Sequence, residues 1–74
     1  MQEIKDALER YVKHKVPTGG FLQAVLENDL QQACAKADHI NQFRIWEIVH
    51  YCWNHVPAQA WGSREAVRTW LGHG

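Results

Sequence analysis

Helix-breaking and helix-starting signals cut this chain roughly every ten to twenty residues, which restricts it to short helical pieces joined by tight turns. The signals are Val16-Pro17-Thr18-Gly19-Gly20, Asn28-Asp29, the stretch from Asp38 to Asn41, and Pro57 followed by Ala58-Gln59-Ala60-Trp61-Gly62-Ser63. Each has a physical reason. Pro17 and Pro57 bias their predecessors away from helical backbone, Gly and Asn tolerate left-handed geometry, and Asp or Ser accepts hydrogen bonds from the free N–H groups of a new helix.

Between the breaks, apolar residues recur at helical spacing. Ile4, Ala7, Leu8, Tyr11 and Val12 predict a first amphipathic helix over Glu3 to His14. Its charged face offers Lys5 to Glu9, Asp6 to Arg10 and Glu9 to Lys13 as pairs four residues apart, each stabilising by a few tenths of a kcal/mol, roughly. A second helix starts near Gly20, buries Phe21, Leu22, Val25 and Leu26, and ends at Asn28 in left-handed geometry. Asp29 caps a third, with Gln32 in the capping-box position and Leu30, Ala33, Cys34 and Ala37 as its stripe, whose small residues admit a close neighbour. The longest segment runs from about Asn41 to Val56. Ser63 caps a last helix carrying Val67, Trp70 and Leu71, which Gly72 ends. Short helices with such turns cannot all lie parallel. The expected fold is all-α, a single domain over residues 1–74 built as a compact irregular bundle of about five short helices.

The segment before Pro57 is the most informative. At about 100° per residue, Ile45, Trp46, Ile48, Val49, Cys52, Trp53 and Val56 fall in an arc roughly 160° wide, as for a central helix touched by several others. Trp46 is therefore expected in the core, as are Trp53 and Trp70. Arg44, Glu47, Asn54 and His55 lie on the remaining side, and Tyr51 is the one aromatic that the pattern leaves among them.

Composition excludes more functions than it selects. Eight basic and eight acidic residues balance, so there is neither the basic footprint of a nucleic-acid binder nor the acidic surplus of a DNA mimic. No stretch reaches membrane-spanning length, the N-terminus lacks the pattern of a secretory signal, and Cys34 and Cys52 lack the CxxC spacing of a zinc or redox motif, so the cytoplasm is the expected location.

Catalytic and metal sites find little support. His14, His39, His50, His55 and His73 are numerous, and Cys52 and His55 are three apart, but no third and fourth ligand follow at metal spacing; no metal or cofactor is expected. Cys34 and Cys52 continue apolar stripes, Ser63 is occupied as a cap and lacks a nucleophile elbow, and Asp29 and Asp38 serve as helix starts. An enzyme is not expected. The Thr18-Gly19-Gly20 turn before a helix could offer backbone N–H groups to a phosphate, which keeps a small-ligand or nucleotide binder as the alternative, although no Gly-Lys-Ser/Thr follows.

The aromatic excess, four Trp in 74 residues, is left over. Tyr51 and Trp61 are the candidate partner-binding anchors, with Arg44, Glu47 and His55 as a polar rim. Trp61 either plugs the bundle or stands out as an anchor. Because a chain this small gains from burying more apolar area than its own core supplies, a homodimer through that surface or one beside it is also expected.

The strings Gly20-Phe21-Leu22, Ala24-Val25-Leu26, Asn28-Asp29-Leu30, Ala37-Asp38 with Asn41, and Trp61-Gly62-Ser63 with Trp70-Leu71 give the chain a wider likeness. It resembles short uncharacterised helical proteins encoded by bacteriophages and prophages. The resemblance covers most of the chain after the first helix and rests on caps, turns and core positions. It implies a non-catalytic accessory protein that sterically inhibits or modulates a host protein, components of CRISPR and other defence systems among them, and it carries over no catalytic residue.

Overall fold

The computed structural model describes residues 1–72 and contains five α-helices, two 3-10 turns and, among those residues, no strand. The first helix, α1, spans Gln2–His14 and buries Ile4, Leu8 and Tyr11. Of its three expected ion pairs, Glu9 with Lys13 forms at 3.0 Å. Asp6 instead accepts from Gln2 at 2.9 Å, and Lys5 places its ammonium 5.6 Å from the centre of the Tyr51 ring. An ammonium attracted to an aromatic face on a neighbouring helix outweighs an exposed pair worth only tenths of a kcal/mol, roughly. Lys15 ends α1 in left-handed geometry (φ 56°), its N–H reaching the Tyr11 carbonyl at 3.1 Å.

The α2 (Gly20–Leu26) and α3 (Leu30–Lys36) helices form a hairpin around Asn28, which adopts the expected left-handed backbone (φ 60°). Asp29 caps α3 through a 3.1 Å bond from Gln32 N–H. Ala24 and Ala33, both buried, let the two short helices approach closely. The expected α3 stripe is only partly realised, because Leu30 and Cys34 are exposed and Ala33 alone is fully covered. Asp38 accepts from the N–H groups of Ile40 and Asn41 at 3.0 and 2.7 Å, fixing a 3-10 turn at Asn41–Phe43. The following helix, α4, therefore starts at Ile45 rather than Asn41 and ends at His55, which makes it shorter than α1.

A second 3-10 turn, Ala58–Ala60, leads into α5 (Arg64–Trp70), capped as expected by Ser63, whose hydroxyl accepts from Ala66 N–H at 3.0 Å. Between them Gly62, at φ 104°, donates its N–H to the Leu26 carbonyl at 2.7 Å. That bond satisfies one of the free carbonyls at the end of α2, and the positive φ suits glycine. Tyr11 ties both ends of the chain together. Its hydroxyl donates to the buried Ala60 carbonyl at 2.7 Å, and its own carbonyl accepts from the Trp70 indole N–H at 3.0 Å.

The core joins Ile4, Leu8 and Tyr11 to Leu22, Val25, Leu26, Ala33, Ile48, Cys52, Val56, Ala60 and Val67. Burial pushes the Cys52 thiol up to about 12. It pushes the Tyr11 hydroxyl up to about 12 as well, with help from the nearby Glu27 carboxylate. Both groups are held neutral in the folded chain, so the unfolded chain releases these protons first, at roughly pH 8.5 to 9 for the thiol and 10 for the phenol. Their contribution is fully present below that range and is lost as pH rises towards 12. The melting temperature should therefore fall from about pH 9 upward, and Cys52→Ala should shallow the first part of the fall; an unchanged profile would show that the thiol is not held protonated by the fold.

Candidate functional site

The α4 helix faces the core along a narrower strip than its sequence offers. Ile48 and Cys52 are fully buried and Tyr51 is half-buried against the core, yet Trp46 is 75% exposed and Trp53 78% exposed. The expected burial of Trp46 and Trp53 is thus overturned. Relative to the middle of the apolar arc, the core-facing line is turned by roughly 60–70°. Two features of the chain cause this. On the Tyr51 side α1 supplies partners, with Lys5 over the ring and a 3.5 Å contact from Arg44 to Glu3. On the other side three seven-residue helices, α2, α3 and α5, are too short to cover the rest of the arc. Trp70 does pack against the core, and its indole N–H is bonded.

The result is an exposed aromatic face. Phe43 (85% exposed), Trp46, Val49 and Trp53 follow one another at steps of three and four residues, so they project from one side of the 3-10 turn and α4. Trp46 stacks on His50 with ring centres 5.0 Å apart, and Trp53 meets Trp61 edge to face at 6.5 Å. Beside Trp53 lies an open groove of about 490 Å³ lined by Asn28, Val49, Val56, Ala58, Trp61 and Gly62. A smaller hollow next to it joins Val49 and Ile45 to the exposed Leu30. At roughly 150–250 Å² per aromatic side chain, the three most exposed rings alone leave about 400–600 Å² of apolar surface in water. That is the upper end for the largest patch on a typical monomer, and such patches are commonly functional.

The sequence-derived candidates divide between two places. Tyr51 stacks on His55 at 4.5 Å and lines a cleft of about 240 Å³ with Leu8, Glu9, Val12 and Lys13 of α1. Arg44 is half-buried beside Glu3, and Glu47 is exposed. Trp61 lies across α4 from these, packed partly against the core while lining the Trp53 groove, so it combines the two roles left open for it. The structure thus does not gather Tyr51, Trp61, Arg44, Glu47 and His55 into one surface. Phe43, Trp46, Val49 and Trp53 were missed. The signal for Trp46, Val49 and Trp53 was present in the width of the apolar arc, which exceeds what such short neighbours can cover; Phe43, in the 3-10 turn before α4, lies outside that arc.

Other chemistry is sparse. Cys52 is buried with a raised pKa, whereas Cys34 is exposed rather than continuing a core stripe. Among the described residues no three His, Cys, Asp or Glu side chains converge as metal ligands would; His73 lies outside those residues. Gly19 and Gly20 start a helix of seven residues, and a methyl on Gly20 would meet the aliphatic part of Lys36 at 3.4 Å. No described helix is long and apolar enough to cross a membrane. Comparison with protein-family models, with curated proteins and with solved structures finds no match to this chain.

Proposed function

We propose that this chain is a small non-catalytic binding protein that acts in the cytoplasm by covering a surface on a host protein, with the exposed aromatic face of α4 as its contact. The observation that carries the reading is the exposure of Phe43, Trp46 and Trp53 on one side of the molecule, next to the Trp61 groove. Large rings that pack against little of their own chain are the anchors from which interfaces draw most of their affinity. The resemblance to phage-encoded proteins adds the class of target, a host component such as part of a CRISPR or other defence system. The mechanism is steric: the bound protein occupies a surface that the target needs, and no bond is made or broken.

Retention of a target from a bacterial host lysate on the immobilised protein tests this. One protein should be held in near-stoichiometric amount. The doubly substituted Trp46→Ser, Trp53→Ser chain, with unchanged helical circular dichroism, should hold it about 30-fold less tightly or worse. Lys13→Glu, on the α1 side, should keep it. If the double variant retains the target as well as the parent, the aromatic face is not the docking surface.

A further inference from the structure

The two ends of the aromatic face differ in shape. Trp46 projects near the start of α4, stacked on His50, whereas near the helix end the exposed Trp53 forms one wall of a groove that it lines with Val49, Val56 and Trp61. Seven residues separate Trp46 from Trp53, about 10 Å along the axis. A projection at one end and a hollow at the other make a face that fits a second copy of itself when the two helices run antiparallel. The structure assigns this face to such a pairing, an inference that rests on reading it as a docking surface: in the free protein its occupant is a second copy of this chain, related by a two-fold axis passing near Val49 and His50, with each Trp46 entering the other copy's groove.

Area and charge both agree. Smaller specific interfaces bury about 600 Å² per partner. The three exposed rings supply about 400–600 Å² of this. The exposed Leu30, the partly exposed Val49 and the flanking His50 and Asn54 extend the face further. The chain carries eight basic and eight acidic residues, so no net charge opposes the approach of two copies. A two-fold pairing also closes, which matches a single self-complementary patch per chain.

Sedimentation and light scattering should give twice the chain mass for the parent, and Trp46→Ser and Trp53→Ser should each weaken the dimer about 30-fold or more while helicity persists. Cross-linking then reads the arrangement. In a Cys34→Ser background, His50→Cys lies beside the axis and should form an interchain disulfide on mild oxidation. Asn54→Cys should not, because antiparallel pairing separates its two copies by about 13 Å along the helices, beyond disulfide reach. A parent that is monomeric at about 100 µM, or equal cross-linking at both positions, overturns the inference. A monomeric parent that still loses its target on substitution of Trp46 and Trp53 leaves the docking function standing. Dimer and target binding both untouched by those substitutions would remove the two together.

Discussion

Replacing Tyr11 by Ala should cost about 4–6 kcal/mol, a large share of the stability a chain of this length has. The ring is 1% exposed at the centre of the core, and truncating a buried aromatic side chain costs about 3–5 kcal/mol. The lost 2.7 Å bond to the Ala60 carbonyl adds about 1 kcal/mol. At roughly 0.05–0.15 kcal/mol per residue, a domain of this length is stable by about 4–11 kcal/mol in total. Circular dichroism and urea titration would show the loss directly. Tyr11→Phe separates the two parts, because it keeps the ring and removes only the hydroxyl; it should lower stability by about 1 kcal/mol and leave the chain folded. If Tyr11→Ala melts with the parent, the contact between the first helix and the Ala58–Ala60 turn is misplaced.

The second large effect distinguishes two neighbours on α4. Ile48 is fully buried and Trp46 is three-quarters exposed, although both belong to the same apolar arc. Ile48→Ala should cost about 2–5 kcal/mol, whereas Trp46→Ala should change stability by no more than about 0.5 kcal/mol despite removing many more atoms. Thermal melting of the pair measured below the concentration at which copies associate gives the comparison. Equal losses would place Trp46 in the core after all and return α4 to the orientation expected from its pattern alone.

That orientation marks how far the sequence can be read. Local chemistry was legible: Asn28 in left-handed geometry, Asp29 and Ser63 as caps and Gly72 at the last turn are decided by a few neighbouring atoms, and the structure agrees. The faces of α1 were also clear, because its apolar and charged residues are sharply segregated. The face of α4 was not, since an arc roughly 160° wide has no unique inward direction. What chose the direction was tertiary. Lys5 and Glu3 of α1 draw Tyr51 and Arg44 towards them, and the brevity of α2, α3 and α5 leaves Trp46 and Trp53 outside. Tyr51 looked solvent-facing for the same reason: period alone does not say which helix will lie against a given side. The candidate site was legible as a surplus of aromatic residues but not as the particular rings that form it.

The hydrogen bonds at Tyr11 also bear on the order in which the chain can assemble. The α2 and α3 hairpin closes across the two residues Asn28 and Asp29 with Glu27 beside them, so its loop entropy is small. The bonds from Tyr11 to Ala60 and from Trp70 to Tyr11 span 49 and 59 residues, and closing such intervals before the intervening helices have formed is costly. Assembly from the hairpin outward, with the two ends meeting last, avoids that cost. In such a sequence the terminal helices act as a clasp over a centre already in place, and loosening the clasp chiefly hastens unfolding, leaving the rate of folding nearly unchanged.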